Sequence, residues 1–246
     1  MARQRLLEGF LLRLAAGRDA DAFALRGGML VQQWLPERRA IRDVDLVCAL
    51  PYGVRELRGR MHEVLRRDAG DGVVFDAERL RIDRMTCGGH PGLELFASGR
   101  VDGAFAELTV DFTYQLDVFP RPTRTVMTVE RGSAALWTCA HEMVVATKLG
   151  VIAELGARAW RPKDLADIWI ALRRFPVEAS VIGEAIEHRF GTAHAGAAVL
   201  ERAWWRDDRA AMRWGRHVAR QPFVPADLDV AIADVRDKLA PLASTP

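Results

Sequence analysis

Two aspartates one residue apart, Asp43 and Asp45 in the stretch RAIRDVDLVC, are the first side chains in this sequence equipped for chemistry. On a β-strand alternate residues share a face. The two carboxylates then project together, with Cα atoms roughly 6.6–7 Å apart at about 3.3 Å per residue. Carboxylates that close repel one another unless a cation lies between them. Hard oxygen ligands of this kind suit Mg²⁺, which takes a few carboxylates and completes its octahedron with phosphate and water. An exposed strand edge with two solvated acids would carry the same D-x-D pattern, so its neighbours must decide.

Upstream, Gly27 and Gly28 follow the apolar run AFAL and precede a helix expected over Met29–Leu35. A strand, a Gly-Gly turn and a helix start offer backbone N–H groups and the helix dipole to a phosphate. The missing side chains let a ligand come close. Downstream, AELTVDFTYQLDV alternates. Leu108, Val110, Phe112 and Tyr114 fall on one face, and Glu107, Thr109, Asp111, Thr113 and Gln115 on the other. Asp111, in mid-strand, is the expected third acid, with Glu107 and Asp117 as competitors. Three acids beside a glycine turn suit a two-metal or metal-plus-base site acting on a nucleotide.

These residues need elements to hold them. IRDVDLVC reads as a strand, 54–67 as a helix, and 72–118 as short antiparallel strands with a hairpin. After FPRPTRT the chain is helix-compatible from Ser133 onward, broken only at RPKD, FPVE and QPFVPAD. The expectation is an α/β (α+β) core with a mixed sheet over 1–130, followed by a helical half over 131–246. A helix over 133–156 would bring Trp137, Val144, Lys148, Val151, Ile152 and Leu155 to one face. A lysine in that apolar stripe requires water or an anion. In RPKDLADIWIAL, Pro162 suits a first helical turn. Leu165, Ile168, Trp169 and Leu172 form its buried face, and Asp164 and Asp167 complement the helix dipole. Farther on, Arg202, Arg206, Arg209, Arg213, Arg216 and Arg220 are spaced 4, 3, 4, 3 and 4. If the helix is continuous through Gly215, they form a ridge that is either an RNA-backbone track or a solvated face partly neutralised by Glu201, Asp207 and Asp208.

Bulk properties narrow the field. With 35 basic and 33 acidic residues the net charge is +2, so nucleic acid can be attracted only by local patches. Cys48, Cys87 and Cys139 are far apart and odd in number, giving neither a metal spacing nor a disulfide framework, and a reducing cytoplasm is the expected setting. The basic, leucine-rich start MARQRLLEGFLLRLAAG is interrupted by Glu8 and Arg13. Leu7, Phe10, Leu11 and Leu14 instead make one helical stripe, so an amphipathic soluble helix is expected rather than a signal peptide. No apolar run is long enough to cross a bilayer, and no membrane is expected as a partner.

In combination these segments resemble the AbiEii/AbiGii-type nucleotidyltransferase toxins, which include the MenT-like toxins and belong to the DNA-polymerase-β-like superfamily. LRGGML resembles the family's K-G-G-T-A-L, RAIRDVDL its R-x-[ST]-x-D-[LIV]-D-[LF], and LTVDFTY its strand-borne third carboxylate. VATKLGVIAEL followed by RPKDLADIWIAL is similar to its A-E-K-L helix and K-D-x-x-D-L segment. The resemblance implies a polymerase-β-like fold and Mg²⁺-dependent transfer from an NTP to an RNA acceptor, with the tRNA 3′ end implied, blocked aminoacylation and an AbiEi-like antitoxin as partner. It assigns Asp43, Asp45 and Asp111 to metal, Lys148 to the triphosphate, and Asp164 to the site. Gly27, Gly28 and Arg42 go to the nucleotide. Met29, Ile41 and Thr147 depart from the pattern, the first two replacing hydroxyl residues and the third a glutamate. A small-molecule (aminoglycoside-type) transferase using the same acids, and a catalytically degenerate RNA- or protein-binding relative, are the alternatives.

Overall fold

The computed structural model describes residues 2–243 except 36–38, 88, 116, 177, 193–194, 197 and 222. It divides into two compact units. The first takes the chain up to Cys139, apart from short segments at 34–36 and 119–121. These segments join the remainder of the chain in the second.

The first unit is a mixed eight-stranded sheet. Its strands are β1 (Phe23–Arg26), β2 (Val44–Cys48), β3 (Val73–Phe75), β4 (Arg81–Cys87), β5 (His90–Val101), β6 (Ala104–Thr113), β7 (Thr123–Val129) and β8 (Gly132–Thr138). The order is β3-β5-β6-β2-β1-β8-β7, with β4 also on β5. The pairs β2–β6 and β1–β8 are parallel and the others antiparallel. Helices α1 (Ala2–Ala15), α2 (Gly27–Gln32) and α3 (Val54–Arg66) complete the unit.

Register follows from hydrophobic alternation. Leu25, Leu46, Phe112 and Leu93 are lateral neighbours on β1, β2, β6 and β5, and all are fully buried. Val44, Val110, Leu95 and Ile82 form a second buried row two residues along. A slip of one residue would turn both rows out of the core. The amphipathic α1 packs Leu6, Leu7, Phe10, Leu11 and Leu14 inward against β5, β6 and β8.

Buried Arg13 closes α1 onto the sheet. Its guanidinium donates to the carbonyls of Gly9, Arg67 and Val73 and to both oxygens of Asp71, at 2.7–3.0 Å. All five of its N–H groups are thus used. Burial alone would push the Asp71 carboxyl upward, but the hydrogen bonds from Arg13 hold it below its ordinary value.

Two boundaries differ from the sequence reading. Residues 132–138, expected to begin a long helix, are strand β8, so the sheet continues past residue 130. SAALW is helix-compatible locally, but hydrogen bonds to β7 and β1 override propensity. Trp137 therefore leaves the lysine-bearing stripe and donates its indole N–H to Asp21, 2.9 Å away. Expected strand 41–48 is regular only from Val44, so Asp43 lies just ahead of it.

The second unit is helical: α4 (His141–Ala159), α5 (Pro162–Arg174), α6 (Ala179–Phe190) and two further helices, Asp208–Val218 and Leu228–Ala243. Gly156 breaks α4 with φ 57°, which leaves Leu155 exposed rather than in the apolar stripe. Trp160, Trp205 and Trp214 are buried, with Trp204 stacked on Trp205 at 4.0 Å between ring centres. The arginine ridge is interrupted. Residues 203–206 form a 3₁₀ turn, Asp207 caps the next helix by accepting from the Arg209 N–H, and Arg220 lies beyond its end. Arg213 is committed to the carbonyls of Arg158 and Trp160, both at 2.9 Å. Among the described residues no helix is long and apolar enough to cross a membrane.

Replacing Arg13 by Met should leave Asp71 buried without its cation and cost about 3–5 kcal/mol. Urea unfolding of the variant against wild type measures this, and an unchanged midpoint would contradict the closure described above.

Candidate active site

Between the two apolar rows, and facing the opposite side of the sheet, runs a third row. Arg26 on β1 is paired with Asp45 on β2, Asp45 with Asp111 on β6, Asp111 with Glu94 on β5, and Glu94 with Asp83 on β4. Paired residues share a face, and neighbouring strands lie roughly 4.8 Å apart. Asp45 and Asp111 are thus side by side, and Asp43 is two residues before Asp45. The sheet brings together the three acids expected from sequence at the end of β1, where Gly27 and Gly28 begin α2. Arg42 is exposed next to Asp43. The competitors for the third position lie elsewhere. Glu107 is exposed four residues down β6, and Asp117 falls outside the strand.

The two glycines do different work. Gly27 has φ 68°, and a Cβ there would meet Asp45 Oδ2 at 2.0 Å and Cγ at 2.5 Å. The Asp45 carboxylate therefore rests on the Gly27 backbone, using space the sequence reading had reserved for a ligand. Gly28 has room, since a Cβ there would meet nothing nearer than 3.6 Å. The departures Met29 and Ile41 are both buried and pack as core residues.

Electrostatics mark Asp111. Its carboxyl is pushed up to about 7, first by burial and then by the charges of Asp45, Glu94 and Asp43, with Arg26 opposing. Its Oδ1 is buried and accepts no hydrogen bond. A divalent cation would relieve both the repulsion and the orphaned oxygen. Among the described residues no group of three or more His, Cys, Asp or Glu side chains is arranged to hold a metal ion by itself, so protein carboxylates could supply only part of a coordination shell. That fits Mg²⁺, which keeps several waters and is held by one or two carboxylates plus substrate phosphates.

The helical unit carries a separate ion cluster. Lys148 on α4 is buried, its Nζ 3.0 Å from Asp164 Oδ1 and 2.7 Å from Asp167 Oδ2 on α5. Arg161 Nε reaches Asp164 Oδ2 at 2.8 Å. Burial would lower the Lys148 ammonium, but Asp167 and Asp164 hold it above its ordinary value. The anion that the apolar stripe demanded is thus supplied within α5. Asp167 shares the role with Asp164, and both acids are buried. Sequence reasoning also passed over Arg26, Glu94 and Asp83. No local signal singles out Glu94, since only register joins it to Asp111.

The carboxylates in lateral register on a mixed sheet lie beside a strand–Gly-Gly–helix turn, and the family match makes the chain a nucleotidyltransferase. The chain belongs to the AbiEii nucleotidyl transferase toxins of type IV toxin–antitoxin systems, whose family profile matches residues 9–241. Among the solved structures that share its fold are two from Helicobacter pylori. One is a Helicobacter pylori protein assigned as a nucleotidyltransferase, with TM-score 0.54, 12% identity and coverage of 97% of this chain and 92% of its own. The other is JHP933 from Helicobacter pylori, with TM-score 0.57, 12% identity and coverage of 98% and 90%. No curated protein matches the sequence.

Two outcomes are expected. Gly27→Ala forces a side chain into both a left-handed backbone and the Asp45 carboxylate, and should lower both the melting temperature and transfer activity, read by thermal melting and turnover. With divalent cations chelated, Asp111 binds its proton more tightly folded than unfolded. Its contribution to stability is full below about pH 4 and is lost as pH rises through about 7. Denaturation midpoints across that window should decline in wild type and flatten in Asp111→Asn.

Proposed function

We propose that this protein transfers a nucleotide from an NTP to an RNA acceptor, foremost the 3′ end of tRNA. Blocked aminoacylation would then stop translation, in the cytoplasm and under the control of an AbiEi-like antitoxin. The observation that carries this reading is the register of Asp45 against Asp111 beside the Gly27 turn.

In this proposal Asp43, Asp45 and Asp111 hold Mg²⁺, which when bound neutralises triphosphate charge and helps align the reacting phosphorus. Gly28 and Arg42 receive the phosphates, while Gly27 seats the Asp45 carboxylate beside them. Where it does not ligate a metal, Asp111 instead takes the proton of the attacking hydroxyl. That oxygen bonds to the α-phosphorus as the bond to the leaving pyrophosphate breaks in line, chemistry that depends mainly on positioning and charge. The family pattern gives Lys148 a phosphate contact and makes Asp164 a site residue. In this chain Asp164 and Asp167 orient the ammonium and share its charge.

A second reading, transfer to a small cationic acceptor of the aminoglycoside kind, is favoured by two observations. The acid row continues into Glu94 and Asp83, and the arginine ridge is broken at 203–207.

Labelled NTPs, Mg²⁺ and total tRNA test the proposal. Label should enter RNA and fall roughly a hundredfold or more in Asp45→Ala. Arg209→Glu combined with Arg216→Glu should remove RNA labelling but spare a small acceptor. Silence with every nucleotide would overturn transfer in favour of a binding role.

A further inference from the structure

Four carboxylates occupy the row that begins at Arg26, and their charges are not evenly matched. Asp83, at the far end, has the Arg81 guanidinium 2.7 Å away. Asp45, Asp111 and Glu94 lie between, with Asp43 beside them. At the near end stands Arg26, 8% exposed, the cross-strand partner of Asp45. Its side chain reaches past β2. Nη2 donates to the Thr113 hydroxyl on β6 at 2.8 Å and to Cys87 Sγ on β4 at 3.0 Å. Thr113 is fully buried and two residues beyond Asp111, on the same face of the same strand. The guanidinium is therefore pinned along the row, inside the sheet's own side chains.

Burying a guanidinium is costly unless anions offset it. Burial opposes the charge on Arg26, but Asp45 and then Cys87 more than compensate and hold the group above its ordinary value. The attraction works in both directions. Like-charged carboxylates in lateral register would drive the strands apart or pick up protons, and Arg26 is a fixed positive charge at that place. It needs no ligand to be there.

We propose that Arg26 is a positioning residue, a resident counter-charge that holds the acid row of β2 and β6 in register before metal and nucleotide arrive. This rests on the metal-dependent reading of that row. The consequence has a definite sign. A built-in cation competes with an incoming one, so the row binds divalent metal more weakly than the same acids would without it. Removing the charge should make the metal-free protein less stable and at the same time make its metal site tighter. A residue that merely filled space would do only the first.

The test is thermal melting of the full-length chain during MgCl₂ and MnCl₂ titrations, for wild type, Arg26→Gln, Arg26→Lys and Thr113→Val. Arg26→Gln should melt lower without metal and reach half-maximal stabilisation at about tenfold lower metal concentration, the scale of one nearby charge. Arg26→Lys keeps the charge and should stay within about threefold of wild type. If Arg26→Gln does not fold, Thr113→Val, which frees the guanidinium without removing it, should shift half-saturation the same way by a smaller factor. A half-saturation in Arg26→Gln, or in Thr113→Val where Arg26→Gln does not fold, equal to or higher than wild type overturns the role given to Arg26. A wild type that neither gains stability from metal nor transfers nucleotide overturns the acid-row reading itself, an outcome distinguishable from the first.

Discussion

The parallel pairing of β2 with β6 sets two carboxylates side by side, and most of the first unit serves to tolerate it. Asp45 and Asp111 are neighbours because the residues flanking them, Val44 and Leu46, Val110 and Phe112, must all point into the core. The hydrophobic register and the acid row are one fact seen from two faces of the sheet. No small shift can ease the repulsion, since moving either strand by one position would bury its acid and expose its leucines and valines. The strain is met instead by local devices. Gly27 gives up its side chain to seat Asp45, Arg26 brings a charge to the row, and Asp111 carries a raised proton affinity.

The helical unit solves a related problem differently. Lys148, Asp164 and Asp167 are all buried, yet each charge faces an opposite one within 3.0 Å. Such a cluster resists removal of any one member more than it adds net stability. The two units thus hold contrasting kinds of charge. One row sets like charges side by side, while the other group is internally balanced.

Much of this was legible in the linear chain. Period-two alternation put Glu107, Asp111 and Asp117 on one face and mid-strand position favoured Asp111, the residue that register sets beside Asp45 of the D-x-D. What failed has physical causes. Residues 132–138 carry helix-compatible side chains and became a strand only through two long-range ladders, one of them to β1 more than a hundred residues away. Trp137 went with it. The arginine spacing was real, but Asp207 starts a new helix and removes the assumption of one continuous element. Lys148's need for an anion was visible, whereas its partners could be named only once α4 and α5 were seen together. Arg26 and Glu94 were invisible as site residues because lateral register leaves no trace in local spacing.

The connectivity of the sheet bears on how the protein is made. The acid row draws on positions 26, 45 and 111, and β1 gains its second neighbour only when β8 is complete at residue 138. A chain emerging from the ribosome therefore carries its aspartates at least until residue 138 without an assembled centre. Pairings of such long sequence separation form late and slowly. Whatever chemistry the row performs is in this way withheld by topology from any copy that stops short of β8.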